Sequence, residues 1–234
     1  MFSSATVAYA TKGIDGKHLF LLFAPQAAKM IDSYNNQELA NIAWAFAVVD
    51  VDATTLFNNP FTDKLHEKKD GFEKLELFQL HQWHLWQTNE RSHSGLPTDL
   101  QYKCYGAFVS KESRVSQLQD DVVAQLSSTG LQPKEVLMDS GYRIDALVEV
   151  NGKTVGVEVD GPSHFVGRSK SPIGGTILKR RQVPLIDEIE LVWCRIGSGN
   201  ELGKYQAKKQ EYLRKLLGFT IKDFLLRRIF EFYF

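Results

Sequence analysis

Asn151 and Gly152 form an Asn-Gly pair between two segments in which polar and apolar residues alternate. Asn-Gly is the strongest short-range signal for a two-residue β-hairpin turn. The flanking segments, residues 142–150 (YRIDALVEV) and 153–160 (KTVGVEVD), therefore predict two antiparallel strands. With the pair as the loop, the last residue of the first strand lies opposite the first residue of the second. This sets the whole register, because a shift of one residue would move the apolar side chains to the other face.

The predicted register divides the hairpin into a charged face and an apolar face. On the charged face, Asp145 lies directly opposite Glu158, and Asp160 shares that face by parity. Opposed side chains have Cβ atoms about 4.5 to 5.5 Å apart, so two carboxylates there repel each other. The apolar face is predicted to enter a core through Ile144, Ala146, Val148, Val155, Val157 and Val159.

Two explanations for the opposed carboxylates are open. A divalent cation, Mg²⁺ or Mn²⁺, held by Asp145 and Glu158 would relieve the repulsion and could activate water. Alternatively, Arg143 and a lysine from another element neutralise the acids, or one carboxyl stays protonated. The first explanation makes Asp145, Glu158 and Asp160 candidate catalytic residues, whereas the second makes them a structural network.

His164 follows the second strand in the sequence GPSHF, where a short turn could return it over the carboxylates. This position suits a general base or a metal ligand, and the alternative is a turn histidine with a structural hydrogen bond. His81 and His84 are also spaced for a shared metal, but a pair alone leaves a zinc site short of ligands. They are therefore interpreted as packing residues of an aromatic helix.

A loop rich in Gly, Ser and Pro comes next, in GRSKSPIGGTILKRR, and leads into a helix predicted from about Thr176 to Pro184. Loop amides and a helix N terminus favour phosphate oxygens, and basic side chains add charge. The alternative is a solvated basic helix face. The candidate phosphate or RNA ligands are Arg168, Lys170, Thr176, Lys179, Arg180 and Arg181.

The formal net charge of zero conceals a strong asymmetry along the chain. Residues 1–110 carry 9 basic and 12 acidic side chains, residues 111–164 carry 5 and 9, and residues 165–234 carry 14 and 7. A basic C-terminal third indicates a polyanionic partner and favours nucleic acid. No apolar run approaches the roughly 20 residues of a membrane helix, so a transmembrane protein is excluded and no membrane partner is expected.

Residues 1–110 predict an α-helical repeat segment followed by a junction. Asn36 is the expected N-cap of an amphipathic helix, and Pro60 marks its far end. Because one helical hairpin cannot bury its own apolar face, the segment looks like the last part of a helical-repeat array. The sequence TNERSHSGLPTD, at 88–99, is interpreted as a flexible junction. The predicted helices are 27–34, 37–49 and 72–89.

The second half of the chain predicts a helix, three strands, a helix, a strand and a closing helix. This order resembles the core of the PD-(D/E)XK nuclease superfamily. It implies an α/β C-terminal domain of restriction-endonuclease-like type, preceded by the α-helical repeat segment. The elements not yet described are helices at 112–127 and 204–217 and strands at 135–138 and 189–196.

The motif VGVEVDGPSHF, followed by GGTILKRR, a strand with Trp193 and the segment YLRKLL, resembles the RAP domain over about residues 114–217. The sequence ELANIAWAFAVVD similarly resembles the repeat helices of FAST-kinase-like mitochondrial and octotricopeptide-type chloroplast proteins. The expected parts are a helical-repeat remnant and junction at 1–110, a RAP domain at 111–218 and a tail at 219–234.

The nuclease resemblance carries over to individual residues. Asp145 matches the first acid of the motif and Glu158 the second, but Asp160 replaces the lysine expected two residues later. Glu-x-Asp followed by Gly and His is similar to the Vsr-type endonuclease branch, in which a histidine takes the basic role, here His164. Lys179 could instead supply a relocated lysine. Because of the replaced lysine, the resemblance leaves enzymatic activity open.

The RAP resemblance implies an organellar protein, mitochondrial or chloroplast, that binds single-stranded RNA within a ribonucleoprotein assembly. The implied role is in RNA processing, stability or translation. Two alternatives stay open: a metal-dependent endoribonuclease using Asp145 and Glu158, and a non-catalytic protein-binding scaffold. The first fourteen residues lack acids but also lack Arg, so they predict no targeting by themselves. No cofactor other than Mg²⁺ or Mn²⁺ is expected.

Overall fold

The computed structural model describes residues 2–14, 16–110, 117–167, 171–195, 211, 213, 215, 217 and 218. The helices are α1 (Phe2–Thr11), α2 (Lys17–Lys29), α3 (Asn36–Val49), α4 (Asn59–Glu67), α5 (Lys74–Leu85), α6 (Thr98–Val109), α7 (Gln117–Ser128) and α8 (Gly174–Ile186). The strands are β1 (Lys134–Leu137), β2 (Arg143–Val150), β3 (Lys153–Asp160) and β4 (Glu190–Arg195). This order, helices followed by a small sheet with parallel and antiparallel strands, agrees with the predicted α/β C-terminal region.

The chain divides into two compact units that are discontinuous in sequence. The helical unit contains Met1–Ser113, Met138–Tyr142 and His164–Glu188, and so includes α1 to α6 and α8. The sheet unit contains Arg114–Leu137, Arg143–Ser163 and Ile189–Phe234. The predicted boundaries at residues 110 and 218 stay predictions.

α3 is the central helix of the helical unit and packs against α1, α5 and α8. Every residue from Ile42 to Val49 is buried, so α3 is not the amphipathic helix that the sequence predicted. A helix that is apolar on all sides belongs in a core. Its alanines allow neighbouring helices to approach closely: Ala40, Ala43, Ala45 and Ala47.

The start of α3 differs by one residue from the expectation. Asn35, not Asn36, is the N-cap, and its side chain accepts a hydrogen bond from the backbone N–H of Glu38. The Glu38 carboxylate in turn accepts from the Asn35 N–H, which completes a capping box. Pro60 was also misplaced by the sequence interpretation. It lies in the first turn of α4, where a missing N–H costs nothing.

α5 continues into a π-helical turn, Trp86–Glu90, and the chain then leads into α6. A hydrogen bond joins the segment between α5 and α6 to α5. Leu96 N–H donates to Nδ1 of His84 at 3.1 Å. α6 was not predicted, because only Leu100 and Cys104 are buried along it and this gives a weak periodicity.

His81 and His84 are both buried in the helical unit, as packing residues should be. Nε2 of His81 lies 2.9 Å from the carbonyl oxygen of Ser140. Burial lowers the pKa of His81, and the Ser140 carbonyl opposes this change. Burial, with a smaller contribution from His81, lowers the pKa of His84 to about 4. The structural interpretation of this pair is confirmed.

The sheet has the order β1-β2-β3-β4, with antiparallel pairs β1/β2 and β2/β3 and a parallel pair β3/β4. Val150 lies opposite Lys153 and Ala146 opposite Val157, so the predicted register is confirmed for the part of the hairpin next to the turn. Asn151 and Gly152 have φ angles of 52° and 76°, as a two-residue turn with positive φ at both positions requires.

The apolar face of the hairpin forms the core of the sheet unit together with α7. α7 contributes Val122 and Leu126, and β4 contributes Cys194. All six predicted core residues, from Ile144 to Val159, are buried. The predicted helix at 204–217 and the tail at 219–234 lie mostly or wholly outside the described residues.

Candidate nucleic-acid interface

The carboxylate of Asp145 has a partner in the backbone of the neighbouring strand. Regular pairing of β2 with β3 extends from Val150 and Lys153 to Ala146 and Val157, one step short of Asp145. There, Oδ2 of Asp145 accepts a hydrogen bond from the Val159 N–H at 2.8 Å. The side chain thus extends the connection between the two strands where the pairing ends.

Glu158 and Asp160 lie two residues apart on β3, on the face opposite the apolar valines. Both are buried, with 3% and 2% of their surface exposed. The sequence predicted that Glu158 and Asp160 share a face of the hairpin, but it did not predict that they are buried. In the parallel pair with β4, Glu158 lies beside Trp193 and Asp160 beside Arg195.

Asp160 also influences Cys194 in β4. Burial, assisted by the charge of Asp160, raises the pKa of the Cys194 thiol to about 12. The thiol is therefore protonated at neutral pH and behaves as a small packing residue.

Carboxylates are the ligands that Mg²⁺ and Mn²⁺ prefer, and one or two can suffice beside water and phosphate oxygens. The donor chemistry of Asp145, Glu158 and Asp160 fits that requirement. Within the described residues, no group of three or more His, Cys, Asp or Glu side chains is arranged to hold a metal ion. A metal bound here would complete its coordination with water or with phosphate oxygens.

His164 belongs to the helical unit and lies directly before the loop that leads into α8. Its carbonyl oxygen accepts a hydrogen bond from the Ile173 N–H at 3.0 Å. This hydrogen bond joins His164 to the residue that precedes α8. Nδ1 of His164 lies 3.4 Å from Oγ1 of the buried Thr176. The structure thus brings together two of the residues predicted from the sequence.

α8 begins at Gly174 and continues two residues beyond the predicted end at Pro184. One face is buried in the helical unit, where Leu178 and Gln182 have no exposed surface. A Cβ at Gly174 would lie 2.7 Å from both the Ala10 carbonyl oxygen and the Trp44 ring. Only glycine allows this close approach.

Lys179, Arg180 and Arg181 are all half-buried on α8. The guanidinium of Arg181 is paired with the carboxylate of Glu90. It also donates from Nη2 to the carbonyl oxygen of Ala47 at 2.5 Å and from Nη1 to that of Val48 at 3.4 Å. That Arg181 also contacts a phosphate, as the sequence predicted, stays a prediction.

A polar network joins α8 to α3 and α5. The Tyr142 hydroxyl donates to Oε1 of Gln182 and accepts from Nε2 of Gln82, both at 2.8 Å. Oε1 of Gln82 accepts from Trp44 Nε1 at 2.8 Å. Burial raises the pKa of Tyr142, so its hydroxyl stays protonated and can donate. Sequence analysis missed Glu90 and this network, because no local signal links residues so far apart.

The predicted site residues fall into the two units separately. Asp145, Glu158 and Asp160 lie in the sheet unit, whereas His164 and the α8 residues lie in the helical unit. Arg168 and Lys170 lie outside the described residues. Cooperation between the carboxylates and His164 or Lys179 therefore stays a prediction. Among the described residues, no helix is long and apolar enough to span a bilayer.

The chain was compared with protein families and with curated proteins. No protein-family model matches the chain. The chain is 24% identical over 203 residues to a RAP domain-containing protein, chloroplastic, of Oryza sativa subsp. japonica. The match covers 80% of this chain and 30% of the rice protein, so the chain spans about a third of that protein's length. This similarity supports the RAP resemblance of the motif around residues 155–181.

Proposed function

We propose that the chain is an organellar RNA-binding protein that acts in RNA processing, stability or translation. In this proposal, α8 contacts the phosphates of single-stranded RNA through Lys179 and Arg180. The observation that carries it is the basic RAP-like helix itself, whose opposite face is held in the helical unit by Leu178 and Gln182. The similarity to a chloroplastic RAP domain-containing protein favours an organelle as the location.

The proposal also includes a fold type for the sheet and one for the helical segment. The antiparallel hairpin, the crossover through α8 and the parallel strand β4 fit a restriction-endonuclease-like, PD-(D/E)XK sheet. The buried, alanine-rich α3 between α1 and α5 fits a helical-repeat segment that reads single-stranded RNA.

Binding of the full chain to a fluorescent single-stranded RNA of about 20 nucleotides tests the proposal. Replacing both Lys179 and Arg180 by Ala removes two phosphate contacts, each worth about 0.7 in the slope of log K against log salt. We expect the slope to become shallower by about 1.4 and the affinity to fall about tenfold.

The matched control is the double variant Lys12→Ala, Lys29→Ala, which removes the same charge from exposed positions of the helical unit. Equal losses in both double variants would contradict a specific role for α8. Absence of RNA binding by the unaltered chain would leave the protein-binding scaffold as the better function.

A second candidate function, a metal-dependent endoribonuclease, is favoured by one observation: Glu158 and Asp160 are buried carboxylates on the same strand. A bound Mg²⁺ or Mn²⁺ would supply Lewis acidity and activation of a water. Asp145 and Glu158 of the sheet unit would hold the ion.

Cleavage of end-labelled RNA by the full chain, with Mg²⁺, Mn²⁺ or EDTA, tests this alternative. Glu158→Gln is the informative variant, because it keeps the side chain's size and removes its charge. Products that depend on metal and disappear in Glu158→Gln, with RNA binding retained, would establish cleavage. Intact RNA under all conditions would reject it.

A further inference from the structure

We infer that Glu90 is a positioning residue for the RNA contact of α8, and that it acts through Arg181. The inference rests on the proposed function, since it concerns the direction in which Lys179 and Arg180 of α8 point. It assigns a role to a side chain 91 residues away from Arg181 in sequence.

Arg181 joins three elements of the helical unit. Its guanidinium contacts the carboxylate of Glu90 and the carbonyl oxygens of Ala47 and Val48. Those carbonyls lie in the last turn of α3, where they have no partner within the helix. A guanidinium at this end also complements the helix dipole.

The π-helical turn places Glu90 where this contact is possible. Such a turn contains about one residue more than an α-helical turn, so it changes the direction of the side chains that follow α5. The Glu90 side chain is 8% exposed, against 27% for Arg181. An ion pair with one buried partner is screened less by salt than a surface pair.

A second acid and a second arginine surround this contact. Asp50, the C-cap of α3, accepts a hydrogen bond from Trp86 Nε1 at 2.9 Å and is paired with Arg91. The charges of the two acids and two arginines balance. The cluster therefore uses Arg181 as a connection within the protein, directly after Lys179 and Arg180 on α8.

Other contacts also hold α8 along its length. Gln182 is bound to Tyr142 and to the Gln82 carbonyl oxygen, and Asp187 after the helix accepts from the Ser140 hydroxyl at 2.6 Å. Lys179 and Arg180 precede Arg181 directly. We expect a change in the Arg181 contact to alter their direction, while Leu178 and Gln182 keep the buried face in place.

The test compares Glu90→Ala with Glu90→Gln in the full chain, with the same fluorescent single-stranded RNA. Both variants remove one negative charge, so their difference isolates the hydrogen-bond acceptor for Arg181. We expect Glu90→Gln to bind RNA within about twofold of the unaltered chain, and Glu90→Ala about threefold to tenfold more weakly. The salt slope should also be shallower in Glu90→Ala.

Thermal unfolding and circular dichroism of each variant separate positioning from stability. A folded Glu90→Ala variant with unchanged affinity and salt slope would overturn the inference. If Glu90→Ala does not fold, Arg181→Lys serves instead, because it keeps the charge and loses the planar fork. That variant is expected to weaken binding threefold to tenfold in the same way, on the order of one kcal/mol of coupling, and unchanged binding would overturn the inference.

The double variant of Lys179 and Arg180 is measured in parallel. If it weakens binding while Glu90→Ala does not, the inference alone fails. If the unaltered chain does not bind RNA with a salt-dependent affinity, the proposed function fails and the inference fails with it.

Discussion

Among single residues, Asp145 uses its carboxylate to accept a hydrogen bond from the backbone of the neighbouring strand. Its Oδ2 accepts the Val159 N–H at 2.8 Å beyond the last regular pair of the hairpin. Asp145→Asn keeps an oxygen acceptor, whereas Asp145→Ala leaves the N–H without one. We expect Asp145→Ala to lower the free energy of unfolding by about 1 to 2 kcal/mol and Asp145→Asn by much less. Urea unfolding at neutral pH measures both, and equal losses would contradict the backbone role.

His84 makes stability depend on pH. Its pKa in the folded protein is about 4, below the ordinary 6.5, because it is buried and near His81. As pH falls below about 6.5, the unfolded chain binds the proton first, so stability is lost between pH 6.5 and 4. Between pH 7.5 and 5, His84 alone should account for a loss of about 2 kcal/mol.

The variant His84→Gln measures this contribution, because glutamine does not titrate and can still accept from Leu96 N–H. Its free energy of unfolding should fall less between pH 7.5 and 5 than that of the unaltered chain. His18→Gln, at an exposed position, is the control. The same pH dependence in all three proteins would show that burial of His84 has no such effect.

Among the elements, the hairpin turn depends on glycine at one position. Gly152 has a φ angle of 76°, and no atom lies within 4 Å of the position that a Cβ would take. Gly152→Ala therefore introduces backbone strain without a steric clash, at a cost of about 1 kcal/mol.

Gly106 gives a matched comparison, since it lies in α6 with equally open space around it. There, Ala should stabilise the protein by about 0.5 to 1 kcal/mol, because alanine has the higher helix propensity. Opposite signs for the two substitutions in urea unfolding are the expected result. A loss at Gly106 or a gain at Gly152 would contradict the assigned backbone conformations.

The elements also show what sequence patterns can predict. Asn151 and Gly152 act locally, so the turn, the register and the apolar face of β2 and β3 could all be predicted. The burial of Glu158 depends on what covers the second face of β3, which alternation within one strand does not reveal. α6 was missed because its two buried residues make too weak a pattern. The contacts of Arg181 with Glu90 and the end of α3 could not be predicted, because these residues are remote in sequence.

For the whole molecule, the assignment of α8 to the helical unit has a testable consequence. Leu178 and Gln182 are buried with partners before residue 111, such as Gln82. Residues 111–234 produced alone would expose this face of α8. Because the core of the sheet unit lies within this fragment, we expect it to keep a urea transition but with a lower midpoint than the full chain. A midpoint equal to that of the full chain would mean that residues 111–218 fold as a domain by themselves.

The central claim for the whole molecule is that it binds single-stranded RNA through phosphate contacts. The most direct measurement is the affinity of the full chain for one such RNA over a series of salt concentrations. The contacts of Lys179 and Arg180 alone predict a slope of log K against log salt of about −1.4 or steeper. A slope near zero, or no binding at low salt, would contradict the account.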